Sequence, residues 1–319
     1  MHEAVCVYDQ AERLGVEVWF VDYPSLEGMY VRPPDAAPYM LVSSLRPTGR
    51  QSLTAAHELG HHAFRHGTRI DQYVAGAAGT DADAAPATDT AELVAPRTRT
   101  TFDADEFLAD LFGAFFLMPK AAVARGFSAR ALSPATATPA EVFAVAGWLG
   151  VGYTTLVYHM RASLGLIDEA RARRLLAAKP KSIRAQLLGE PTPHGLVLVD
   201  AAWTGRPVDL QVGDIALVPH GTALETSSGA PGGGDTGGPG TLVPGPGGRA
   251  LFEATTPGIG RLVGDGWAAF VRVAERAYKG RNMHRHLERA EDDELEGDRP
   301  KDDDLAEGER GDTGNRDVE

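Results

Sequence analysis

Two histidines four residues apart, with a glutamate directly after the first, occupy His57-Glu58-Leu59-Gly60-His61. On an α-helix, positions i and i+4 lie one turn apart on the same face, so both imidazoles can reach one ion. Glu58 is rotated from His57 by about 100°, which puts it beside such an ion rather than in contact with it. That is where a general base for a metal-activated water belongs. Thr54-Ala55-Ala56 before the pair and Ala63-Phe64 after it are material for a buried helix, and Gly60 leaves room for close approach by another element. Gly49 and the polar Gln51-Ser52 predict a helix start near Ser52, and Gly67 predicts its end.

Two histidines are an incomplete site, because zinc in hydrolytic centres takes three protein ligands and keeps one position for water. The third ligand has to come from elsewhere in the chain. Phe107, Leu108, Leu111, Phe112, Phe115 and Phe116 repeat at helical spacing between Asp103 and Pro119 and predict a helix with a broad apolar surface. Glu106 and Asp110, also i and i+4, share one face of it. Carboxylates on an otherwise apolar helix are costly unless compensated, and a cation between the two helices compensates them. Glu106 is therefore the candidate third ligand. Asp110 is the candidate partner that fixes a ligating imidazole from behind, a salt bridge or plain solvent exposure being its alternative. Asp103 and Asp105, rival ligands by type, fit better as carboxylates at the helix N-terminus. His62 and His66 face other directions and receive no ligand role. In this scheme His57, His61 and Glu106 hold one catalytic Zn2+, and Glu58 moves the proton of the attacking water.

His57 to His61, then Glu106-x-x-Ala109-Asp110-x-Phe112, then Leu117-Met118-Pro119, resembles the ImmA/IrrE family of metallopeptidases, which shows HELGH followed by E-x-x-A-N-x-F-A-x-x-L-L-M-P. Met40-Leu41-Val42-Ser43-Ser44 is similar to the strand that leads into that family's active-site helix. The resemblance spans residues 10 to 175 or so. Asp110 stands where the family has Asn, and an Ala/Asp/Thr-rich insert around 76–100 lengthens the gap between His61 and Glu106. What the resemblance implies is a gluzincin-like zinc endopeptidase whose substrate is a cytoplasmic regulatory protein, a transcriptional repressor. The competing expectation is a non-catalytic regulator or partner-binding protein that keeps the metal-binding fold.

These residues need elements to hold them. The reading is an α+β chain with a zincin-like peptidase core in residues 1–130, built from a short sheet and the two ligand-bearing helices. Within it, a helix near Ala4–Leu14 precedes strands at Val16–Val21 and Tyr39–Ser43, and the second strand is expected to take an extended substrate by β-addition. Residues 131–190 read as a helix-turn-helix-like module, with its turn at Leu149-Gly150-Val151 and Thr154–Arg161 in the recognition position. Residues 191–280 read as a small β-rich domain, with strands near Leu196–Val199, Ile215–Val218, Ala250–Glu253 and Ala268–Arg272. The stretch 229–248 holds 10 Gly and 4 Pro and reads as a flexible loop.

Composition bounds the rest. The 319 residues, 43% of them hydrophobic, suffice for a real core, and the lone Cys6 excludes a disulfide framework or a cysteine-based zinc site. Net charge is −13, but residues 281–319 carry fifteen acidic against seven basic side chains, a net −8, and read as a disordered acidic tail. The −5 left on the body is no footprint for nucleic acid. DNA contact is the disfavoured alternative, resting on Arg161 and on Arg171, Arg173, Arg174, Lys179, Lys181 and Arg184 downstream. No secretion signal and no stretch of about 20 apolar residues is read, so the expected location is the cytoplasm, away from membranes.

Overall fold

The computed structural model describes residues 5–72, 103–226 and 238–287. The chain is α+β. Helix α1 (Val7–Arg13) leads into β1 (Glu17–Val21), β2 (Leu26–Val31) and β3 (Tyr39–Ser43), then α2 (Thr48–Ala63) and β4 (Arg69–Gln72). Six helices follow, α3 (Ala104–Leu117), α4 (Lys120–Ser128), α5 (Pro139–Leu149), α6 (Tyr153–Ala162), α7 (Glu169–Leu176) and α8 (Pro180–Leu188). The remaining strands are β5 (Leu196–Leu198), β6 (Pro207–Gln211), β7 (Ile215–Val218), β8 (Ala223–Thr226), β9 (Gly240–Pro244), β10 (Ala250–Ala254), β11 (Gly258–Gly264), β12 (Trp267–Ala274) and β13 (Gly280–Arg281).

The first sheet runs β13-β1-β3-β2-β4. Its alternation is legible in the chain: Val18 and Phe20 on β1 and Met40 and Val42 on β3 point into the core, as a period of two requires. β1 and β3 pair in parallel, with Val18 opposite Met40, and β2 pairs antiparallel to β3. β3 is thus hydrogen-bonded on both edges, and the expectation that Tyr39–Ser43 receives an extended substrate is overturned. Two further four-stranded sheets, β5-β7-β10-β9 and β6-β12-β11-β8, form the C-terminal part. One hydrophobic core runs from Val7 through Trp148 to Val273.

Local signals set both ends of α5. Thr138 and Glu141 form a capping box at the start of α5, and Gly150 closes it with a left-handed φ of 74°. α5 and α6 then cross at 95°. Half of α6 is buried. Tyr153, Leu156, Val157, His159 and Met160 are buried, and Arg161 is paired with Glu169 at 2.5 Å.

Three expectations are corrected. Chain order continues past residue 280: Trp19 pairs with Arg281, and Arg285 is buried over the rings of Tyr8 and Phe20, at 5.2 and 4.3 Å. Part of the Gly/Pro-rich stretch is strand β9, paired along Ala250–Ala254, because β10 offers a free edge there. Residues 104–128 are long and apolar enough by composition to cross a membrane, contrary to the reading of no such stretch; they are split into α3 and α4 around Met118-Pro119 and carry the buried Glu106. The insert at 76–100 and the tail beyond Leu287 lie outside the described residues.

The C-terminal segment brings a pH dependence. His286 Nε2 lies 3.9 Å from Asp209 Oδ1, and Arg272 grips Asp209 at 2.6 and 2.8 Å. Burial first, then the Arg285 charge, depresses the His286 imidazole to about 3. Burial raises the Asp209 carboxyl, but the Arg272 hydrogen bonds and charge outweigh it and hold it below its ordinary value. Between the ordinary histidine value of 6.5 and about 3, the unfolded chain binds a proton that the folded chain refuses. Stability therefore falls as pH drops through that window. Denaturant melts from pH 7 to pH 4 should show this loss, and His286→Gln should flatten its slope. An unchanged slope would refute the assignment.

Candidate metal centre

The site is built where α2 crosses α3. Gly60 on α2 faces α3 so closely that a methyl there would lie 3.0 Å from the Ala109 Cα, and one on Gly113 of α3 would lie 3.1 Å from the His57 backbone nitrogen. Two glycines on facing helices, with Ala109 between, let the backbones approach within the reach of short carboxylates. Asp103 caps α3 by accepting from the backbone N–H groups of Asp105 (3.0 Å) and Glu106 (3.4 Å), which sets the register of Glu106 and Asp110.

His57, His61 and Glu106 converge. The two Nε2 atoms are 3.0 Å apart, and the Glu106 carboxylate lies 3.4 Å from His57 Nε2 and 3.6 Å from His61 Nε2. One ligand atom from each lies within 4.8 Å of the others, and all three residues are buried. Asp110 Oδ1 sits 2.6 Å from His57 Nδ1, off the ideal hydrogen-bond line but on the side away from Glu106. An anion there favours the proton on Nδ1 and leaves Nε2 as an acceptor turned toward the other two. Acceptors turned toward one another repel, and a cation between them converts the repulsion into coordination. This buried His-His-Glu group can hold a metal ion.

Glu58 is fully buried on a different face of α2. It lies against β2, where a methyl added to Gly28 would be 2.3 Å from its Oε1. Only a residue without a side chain leaves space for that carboxylate. Next along the helix, His62 Nδ1 is 3.0 Å from the hydroxyl of the fully buried Tyr30. Burial first, and the Arg32 charge beside it, holds the His62 imidazole below its ordinary range.

Of the residues singled out from sequence, His57, His61 and Glu106 thus converge, Asp110 stands against His57, and Glu58 is buried beside Gly28. Sequence reasoning passed over Gly28, Gly113 and His66. Gly113 looked merely tolerated, and Gly28 belongs to a strand that the pattern did not reveal. His66 Nδ1 lies 2.8 Å from His61 Nδ1. A helix ending at Ala63 rather than Gly67 would have predicted that contact.

A separate cavity of about 310 Å³ lies at the other end of α2, lined by Thr48, Ser52, Trp148, Thr154, Tyr158 and Trp203 among others, and contains none of the metal trio. The half-buried Thr154, Thr155 and Tyr158 of α6 line this cavity. Compared with protein-family models and with curated proteins, the chain matches none.

Proposed function

We propose that the chain is a zinc-dependent metallo-endopeptidase acting on a cytoplasmic regulatory protein. The observation that carries the chemistry is the buried convergence of two histidine Nε2 atoms and one carboxylate within 4.8 Å, backed on His57 by Asp110. A two-histidine, one-glutamate donor set suits zinc in hydrolytic centres. The class of protein substrate rests on the resemblance of His57–His61 and Glu106–Pro119 to the ImmA/IrrE peptidases, and a transcriptional repressor is the partner it implies.

His57, His61 and Glu106 would hold the ion, and Asp110 would keep the His57 ring in one tautomer and orientation. A bound zinc supplies Lewis acidity, making water a nucleophile near neutral pH and polarising the scissile carbonyl. Glu58 accepts the proton from the attacking water and delivers it to the leaving amine nitrogen. Its enclosure between α2 and Gly28 keeps the carboxylate in one place through both transfers.

A purely structural zinc site has no use for Glu58, which favours the enzyme over the regulator that merely keeps the fold. DNA contact is disfavoured by the packing of α6. The test is cleavage of a repressor encoded beside this chain, by wild type and by Glu58→Gln, with bound zinc measured in both.

A further inference from the structure

His66 lies outside the ligand set but touches it. Its Nδ1 is 2.8 Å from Nδ1 of His61, its Nε2 is 3.5 Å from Asp105 Oδ1, and Arg69 grips the other oxygen of Asp105. The side chain is largely buried, with its ring stacked on Phe64 at 5.7 Å and set edge-on to His61 at 5.1 Å. Two ring nitrogens at 2.8 Å require one proton between them. If His61 presents Nε2 as a ligand atom, its own proton is on Nδ1, so His61 donates and His66 Nδ1 accepts. His66 then carries its proton on Nε2, directed at Asp105. The order Arg69, Asp105, His66, His61 is the only arrangement of these protons in which each contact has a donor and an acceptor and His61 Nε2 keeps its lone pair.

The backbone is shaped for this contact. After α2 the N–H of Arg65 donates to the His62 carbonyl at 3.1 Å and that of His66 to the His61 carbonyl at 2.9 Å, a turn that normally carries glycine at its left-handed position. Here that position is Arg65, with φ of 58°. A side chain crowds the following carbonyl in this left-handed conformation, and the turn it permits returns His66 over the ring of His61.

We infer that His66 is a positioning residue for the metal centre, holding His61 with Nε2 toward the ion, as Asp110 holds His57. Asp105 and Arg69 extend the hold to the start of α3 and to β4. This rests on the metal reading of the site. It gives the centre one outer partner of a different kind for each histidine, a carboxylate for the first and an imidazole-carboxylate pair for the second.

The test measures zinc affinity of the full chain by competition with a chromophoric chelator, together with the visible spectrum of the cobalt-substituted protein. His66→Ala should weaken zinc binding by about 10- to 100-fold, the usual effect of losing an outer partner, and should shift the cobalt spectrum. His66→Asn, whose carbonyl can stand where Nδ1 accepts, should restore affinity to within a few-fold. Asp105→Ala, at a half-buried position, should weaken binding in the same direction by a smaller factor. Wild-type affinity in His66→Ala, or an Asn variant as weak as the Ala variant, would overturn the inference while leaving the metal reading intact. A wild-type chain that takes up no zinc would overturn both.

Discussion

Glu58→Gln is expected to lower peptide cleavage by about two to four orders of magnitude, the span that a positioned general acid–base group contributes, with zinc content unchanged. Glutamine keeps the size of the side chain and removes its ability to take a proton. Glu58 is fully buried beside Gly28 of β2 and is not one of the three converging donors His57, His61 and Glu106. The substitution therefore leaves the ligand atoms where they are. Cleavage rates with metal analysis on the same preparations decide the matter. Equal cleavage by both chains would take Glu58 out of the mechanism.

Gly28→Ala is the second large effect, and it arises from a strand the sequence pattern did not announce. The added methyl would stand 2.3 Å from Glu58 Oε1 and 2.5 Å from Thr54 Cγ2, both closer than any van der Waals contact permits. Glu58 must leave its position, or α2 must lift from β2. Overpacking of this kind costs about 1–3 kcal/mol, a drop of a few degrees in Tm for a domain of this size. A displacement near 1 Å at a catalytic group costs about 100-fold in rate, so cleavage should fall by about one to two orders of magnitude with zinc retained. Kinetics, thermal melts and metal content separate the outcomes. A wild-type rate and Tm would mean that Glu58 has more room than the packing against Gly28 indicates.

What could be read in the chain beforehand follows the range of the interactions. The pairs His57/His61 and Glu106/Asp110 are helical neighbours, and a spacing of four is visible without any knowledge of the fold. The pairing of the two helices was inferable because buried carboxylates need a partner, and the Gly60–Ala109 approach supplies the close packing. The capping role of Asp103 is equally local. Gly28, by contrast, matters only because β2 lies under α2, 30 residues away from Glu58 in sequence. β3 reads as a strand from Tyr39–Ser43, but its interior place depends on β1 and β2 closing on both edges. The order of Arg281 and Arg285 at the head of an acidic tail comes from β1 and from the rings of Tyr8 and Phe20, 262 or more residues earlier by numbering. His66 was set aside because the helix was extended to Gly67, whereas the left-handed Arg65 ends it sooner and turns the ring back.

Metal stoichiometry decides whether His57, His61 and Glu106 hold one zinc ion. Wild type and Glu106→Ala, expressed in zinc-replete medium and purified without chelator, should be weighed by native mass spectrometry and titrated with zinc. One zinc per wild-type chain is expected, with a large loss of affinity in Glu106→Ala and the fold of the variant retained by circular dichroism. A wild-type chain without zinc, or a Glu106→Ala chain that binds it equally well, would rule out a His57-His61-Glu106 zinc site.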